Sequence, residues 1–157
     1  MLPIYKVFVR PHLEYAVSAW SPWHRKDVDI LERVQHRATR RMSDVRGPYE
    51  ERLQQLELTT LENRRVRGDA IEAFKYLRGF LDVNPETLCT LNDVTIPKTR
   101  HQQSFMPLVV PHARLDMRKH FFSVRAARLW NSLPSSLRRS NLVNAFKNAY
   151  DRLVSLQ

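Results

Sequence analysis

Three glycines are all that this chain contains, Gly47, Gly68 and Gly79, and each stands alone. A chain so poor in the one residue that turns freely cannot build a glycine-rich phosphate loop. The P-loop and the dinucleotide-binding fingerprint are excluded, and a helical fold is favoured. The clearest helix lies at residues 27–42, DVDILERVQHRATRRM. At about 100° per residue, Leu31, Val34, Ala38 and Met42 fall on one side, while Arg33, Arg37 and Arg40 fall opposite, flanked by His36 and Arg41. Asp27 and Asp29 sit at its start as caps, where the helix dipole favours carboxylates, and the arginines crowd toward the end that favours cations. Ser43, Asp44, Gly47 and Pro48 then stop it. From Arg33 to Arg41 there are four arginines and no acid. Such a run is either a solvated face or a phosphate-contacting one.

A hydrophobic content of 43% over 157 residues is enough for a real core, in one domain or two small subdomains. Charge is more informative by position than in total. Residues 1–97 carry 15 Lys and Arg against 14 Asp and Glu, whereas residues 98–157 carry 11 against 2. The asymmetry points to a polyanionic partner, nucleic acid before membrane, since no stretch approaches the ~20 apolar residues that span a bilayer. Lys6 and Arg10 interrupt the apolar start, so no secretory signal is expected. The single cysteine, Cys89, forms no intramolecular disulfide or zinc knuckle and reads as a packing residue, in keeping with a reducing intracellular compartment. The six histidines are scattered without ligand spacing, and neither metal nor cofactor is expected.

Along the chain, residues 2–23 are the most apolar and aromatic. Pro11 divides them into a short helix and a second stripe of Leu13, Ala16, Val17 and Trp20, and the aromatics, Trp20 included, read as a buried anchor. Residues 48–58 read as a short helix with Tyr49, Leu53 and Leu56 inward. Thr59 and Glu62 then form a capping box for a helix that presents Leu61, Ala70, Ile71, Phe74 and Leu77 and stops at Gly79. Arg64, Arg65 and Arg67 crowd its first half, where the dipole disfavours cations; Glu62 and Asp69 are the expected partners and phosphate contact the sharper reading. Residues 80–111, broken by Pro85, Pro97, Pro107 and Pro111, read as a connecting loop with a short helix near 85–91 and an extended piece at 104–110. From His112 the chain is basic and helical again. Residues 118–130 offer Phe121, Phe122, Val124, Ala126, Leu129 and Trp130 for packing, and Asn131, Ser132 and Pro134 end that helix. A last helix near 142–156 packs through Leu142, Phe146, Ala149, Tyr150 and Leu153, with Ser140 or Asn141 as its cap.

The runs YKVFVRPHLEYAVSAWSPW and LERVQHRATRRM, continuing through YEERLQQLELTTLENRRVRGD and ARLDMRKHFFSVRAARLWNSLP to NAFKNAYDRL, cover nearly the whole chain. Together they resemble the segment that follows the palm in reverse transcriptases of LINE-type retrotransposons, particularly the jockey-like group. The resemblance implies the end of the thumb and the region beyond it, which help to hold template and primer, and a passage through cytoplasm and nucleus. The fingers, the palm and the Tyr-x-Asp-Asp motif of the full enzyme are not in the sequence. Asp27 and Asp29 have no third carboxylate placed to complete a two-metal site. The chain by itself is therefore expected to be non-catalytic, although the parent protein is an RNA-directed DNA polymerase.

The architecture expected is all-α or mostly α: about six helices in an irregular assembly around a Pro-rich central loop, with one short strand at most. Thumb-like helices occupy residues 1–47, a helical middle 48–79, an irregular connector 80–111 and a basic helical part 112–157. Two groups are the candidate phosphate contacts, Arg33, Arg37, Arg40 and Arg41, and Arg114, Arg118, Lys119, Arg125 and Arg128. The expected partner is the backbone of RNA, DNA or their hybrid, contacted without sequence reading, with no membrane and no small-molecule substrate. Two alternatives stand beside this. One is an interaction scaffold that packs on a polymerase palm or another subunit and exposes an apolar surface around Leu2, Ile4, Phe8 and Trp20. The other is an inert remnant of a decayed element.

Overall fold

Every regular element in the computed structural model is a helix, among described residues 1–42, 45–84, 90–91 and 106–155. Ser43 and Asp44 as helix stops, Cys89 as a packing residue and most of the short helix near 85–91 lie outside those residues. The chain divides into two compact units, Met1–Gly68 and Asp69–Gln157.

The first unit opens with α1 (Leu2–Ile4), a π-helical stretch (Tyr5–Val9) and α2 (Arg10–Glu14), which follow one another directly. Pro11 accounts for the widened turn. It has no N–H for the carbonyl of Val7, four residues back, and its ring crowds that carbonyl, so the preceding turn opens. The helix ends at Glu14, and Ala16 takes a φ of +50° in the turn that follows. The expected second stripe is thereby cut short, and of its members only Val17 is buried. The aromatic anchor is corrected too. Tyr5 is buried, but Phe8, Tyr15, Trp20 and Trp23 are exposed: Phe8 lies on the outer side of the N-terminal helical segment, and the other three follow after the helix has ended.

Three further helices complete this unit: α3 (Arg25–Arg40), α4 (Tyr49–Gln55) and the first part of α5 (Leu61–Leu77). Tyr5, Met42, Leu53 and Leu58 form its apolar core, with Leu2, Val9, Ala38, Tyr49 and Leu56 packed around them. The inward face of α3 differs from the one expected. Gln35 and Thr39 are completely buried while Val34 lies at the surface. A polar network explains the rotation. The Gln35 side-chain nitrogen donates to the Tyr49 hydroxyl (3.0 Å) and to the Thr59 carbonyl (3.0 Å), and its oxygen accepts from the Tyr5 hydroxyl (2.7 Å). Glu32 accepts from the Tyr49 hydroxyl through one oxygen and from the Leu61 N–H (3.0 Å) through the other. Two tyrosine hydroxyls and a helix start that leave water must find partners, so amide and carboxylate are drawn inward where the pattern alone placed aliphatics.

The start of α5 is set one residue later than the sequence suggested. Thr60, not Thr59, accepts the N–H of Asn63 through its hydroxyl (3.2 Å), and Glu32 accepts the Leu61 N–H while Glu62 lies in the first turn. Arg64 has another carboxylate than those expected, and Arg65 reaches backbone carbonyls of the N-terminal segment. Arg64 forms a two-pronged pair with Glu14, its Nη2 at 2.9 Å from Oε2. Arg65 donates to the carbonyls of Leu13 (2.6 Å) and Trp20 (3.2 Å), with its guanidinium 4.0 Å from the centre of the Trp20 ring. Both arginines brace the N-terminal segment.

The second unit contains the rest of α5 with α6 (Asp116–Lys119), α7 (Phe122–Ser132), α8 (Ser135–Arg138) and α9 (Val143–Ser155). Its core is aromatic. Phe74 and Phe146 stack with ring centres 4.4 Å apart, and Trp130 lies 6.3 Å from Phe146, all three without solvent exposure. Burial of each contributes about 2–3 kcal/mol, and the stacking adds about 1 kcal/mol. At the end of α5 the chain turns through Gly79 at φ +68°. The N–H of Gly79 bonds the Tyr76 carbonyl (3.3 Å) and that of Phe80 the Lys75 carbonyl (2.9 Å), while the Phe80 ring packs on Phe74. This is a Schellman stop with its hydrophobic contact.

Two helices here were read differently from sequence. The helix expected at 118–130 is interrupted, with Phe121 extended and exposed between α6 and α7. The last helix begins after Leu142, whose carbonyl accepts the N–H of Phe146. The Asn141 side chain and the Ser140 carbonyl instead receive the guanidinium of Arg78 (3.3 and 2.6 Å). Trp130 donates its indole N–H to the Met106 carbonyl (2.8 Å), and Asn131 makes two bonds to the Leu108 backbone (2.8 and 2.9 Å). Leu108 forms an isolated antiparallel bridge with Leu91, which is all of the expected extended piece that the described residues contain.

Candidate nucleic-acid interface

Three arginines of α3 and the one at its C-cap stand as the helical spacing suggests. Arg33, Arg37, Arg40 and Arg41 are all exposed, and among the described residues none has a carboxylate within ion-pairing distance. Burial of Gln35 and Thr39 on the opposite side of the helix fixes their outward direction. Arg37 and Arg40 occupy the last turn, where the helix dipole favours them without neutralising them. His36, expected at the flank, is half-buried with its ring 4.9 Å from that of Tyr49. At the other end the helix starts earlier than read: His24 is the N-cap position and Asp27 lies in the first turn. Asp29 is not a cap but pairs with Arg25 (3.0 Å), which also reaches Glu62 (3.0 Å). Those two carboxylates, Asp29 foremost, hold Arg25 above its ordinary pKa. They also neutralise it, and Arg33 is the first of the four arginines without a carboxylate among the described residues.

The second group is divided by the structure. Arg114, Arg118 and Arg128 are exposed, and among the described residues none has an ion pair. The guanidinium of Arg118 lies 5.0 Å from the Phe121 ring centre. Lys119 is held by Asp116 (2.7 Å). Arg125 does not project outward. Its Nε and Nη2 bond the two oxygens of the nearly buried Asp69 (2.7 and 3.1 Å), and its Nη1 donates to the His120 carbonyl (2.9 Å). A guanidinium committed to a buried carboxylate cannot meet a phosphate without abandoning that carboxylate, so Arg125 is removed from the candidate surface.

Sequence reasoning missed the buried polar residues. Arg52 lies inside the first unit, donating to the Gly47 carbonyl (2.6 Å), and Arg138 lies inside the second, where burial lowers its pKa. For Gln35 and Thr39 the local sequence offers only an i, i+4 spacing in phase with Met42, which does not by itself say that polar residues lie inward. The charge asymmetry also changes meaning. Residues 1–68 carry thirteen basic and nine acidic side chains, and residues 69–157 thirteen and seven, so each unit is basic in its own right. No helix among the described residues is long and apolar enough to cross a membrane. No protein-family model, curated protein or solved structure matches the chain.

Proposed function

We propose that the protein is a non-catalytic nucleic-acid-binding segment that contacts phosphates without reading sequence, and that it is the post-palm part of a LINE-type reverse transcriptase, where it supports template and primer. The observation that carries the binding proposal is the α3 stripe: four exposed arginines with no carboxylate partner among the described residues, on a helix whose far side is locked inward. Exposed guanidinium groups neutralise phosphates and release counterions, a mechanism that needs no base contact. The resemblance given above supports the parent enzyme, and the absence of a paired aspartate motif from the sequence supports a segment without chemistry of its own.

Fluorescence anisotropy with labelled RNA, DNA and hybrid duplexes across a range of salt tests the binding. For duplex DNA, the α3 arginines are expected to contribute a log–log slope of about −3.6, at about 0.9 for each phosphate neutralised. Replacement of all four by alanine removes that share and leaves the fold intact. Absence of binding at low salt by folded protein refutes the reading.

One observation favours the scaffold reading as well. Ile4, Val7 and Phe8 are each more than half exposed on the N-terminal helices, an apolar surface of the kind that a partner covers. An apolar-sensing dye is expected to bind there, and a monomer that takes up none counts against this second reading.

A further inference from the structure

Within the first unit an apolar pocket of about 200 Å³ lies between the N-terminal helices and the end of α3, lined by Ile4, Tyr5, Val9, Ala38, Arg41 and Met42. An engineered cavity of about 150 Å³ with such walls admits benzene, so the pocket has room for one bulky apolar side chain. Of its lining, Ile4 shares a helical stripe with the exposed Val7 and Phe8, and on α3 Ile30 and Val34 are exposed too. By helical spacing Arg37 and Arg41 share the stripe of Ile30 and Val34. Arg41 itself lines the pocket, and among the described residues no carboxylate does and neither arginine is ion-paired.

Apolar walls and unneutralised cations on one surface call for an occupant that is apolar and anionic at once. We infer that this pocket docks an amphipathic helical segment of a partner protein, whose apolar anchors at i, i+3 or i+4 are flanked by Asp or Glu. An anchor fills the pocket, and a neighbouring carboxylate meets Arg41 or Arg37. A nucleic acid would satisfy the arginines and leave the pocket empty. A second copy, docked through the same patch on both subunits, would bring the arginines no carboxylate from the described lining. The inference rests on the scaffold reading, and at Arg37 and Arg41 the acidic segment and a phosphate backbone would exclude one another.

Selection from a displayed library of helical peptides on the full chain, followed by anisotropy of the enriched peptides, tests it. Enriched peptides are expected to carry apolar anchors flanked by acids, and to lose about tenfold or more in affinity, about 1.4 kcal/mol, on either Ile4→Asp or Arg41→Glu. Lysines in place of the peptide acids are expected to recover binding to Arg41→Glu. Enrichment without acids, affinity indifferent to Arg41→Glu, or no enrichment overturns the inference. Self-association abolished by Ile4→Asp overturns it too, and assigns the pocket to a second copy. Ile4 is 60% exposed, so Ile4→Asp is expected to fold, which circular dichroism checks. Dye uptake by the wild type that Ile4→Asp abolishes, without acidic preference among peptides, leaves the scaffold reading standing and this inference fallen. No dye uptake refutes both.

Discussion

Arg125 shows how a single side chain can be charged, basic in sequence context and still belong to the interior. Its guanidinium bonds both oxygens of Asp69, which is only 5% exposed, and removing it takes two charge-assisted hydrogen bonds from a buried carboxylate. Arg125→Ala is therefore expected to destabilise the second unit by about 3 kcal/mol, measured as a lowered urea midpoint, whereas Arg128→Ala is expected to change stability by less than about 0.5 kcal/mol. Tyr5 is the corresponding case in the first unit. Burial, the largest cause, pushes its hydroxyl up to about 12 from the ordinary 10. The neutral phenol is the form the fold accepts, so this contribution is complete below pH 10 and is lost as pH rises from 10 through 12. Its size is about 2–3 kcal/mol. Tyr49 is raised as well, by burial first and then by its bond to Glu32. Chemical denaturation at several pH values is expected to show a fall in stability above pH 10 that is shallower in Tyr5→Phe. The sequence named Arg125 as basic and Tyr5 as aromatic. Their roles depend on Asp69 and Gln35, which lie 56 and 30 residues away and which no local pattern connects to them.

Among the elements, α5 contains one glycine and is stopped by another, and their reasons differ. Gly79 stands at φ +68° with nothing within 4 Å of an added Cβ, so its need is purely conformational. Gly79→Ala is expected to cost about 1 kcal/mol, the penalty of an L-residue in the left-handed region. Gly68 is helical, and a Cβ there would meet Val17 at ordinary contact distance, 3.7 Å. Gly68→Ala is expected to stabilise by about 0.5–1 kcal/mol through helix propensity. Thermal melts of the two variants, moving in opposite directions, check both. The stop at Gly79 was legible because a lone glycine after a helical stripe has few other uses. The true inward face of α3 was not, because Glu32, Gln35 and Thr39 are drawn in by tyrosines and by a helix start that belong to other elements. The interruption at Phe121 has the same character, since Phe121 and Phe122 look alike in sequence while one is exposed and the other buried.

At the scale of the whole molecule, two basic units carry two separate sets of exposed arginines, four on α3 and three at Arg114, Arg118 and Arg128. If both meet the same nucleic acid, alanine replacement of each set is expected to reduce the salt slope by amounts that add, about 3.6 and about 2.7 for duplex DNA. A slope moved by one set alone would assign binding to a single unit. Composition and periodicity determined the helical class, the positions of most helices, the aromatic core residues Phe74, Trp130 and Phe146 and the outward arginines of α3, because these follow from short-range spacing and from the cost of leaving apolar rings in water. Tertiary structure alone decided which polar groups lie inside, which arginines are consumed by carboxylates or carbonyls, and which N-terminal aromatics stay at the surface. Each of those depends on a partner far along the chain, and a buried polar group is stable only where such a partner meets it.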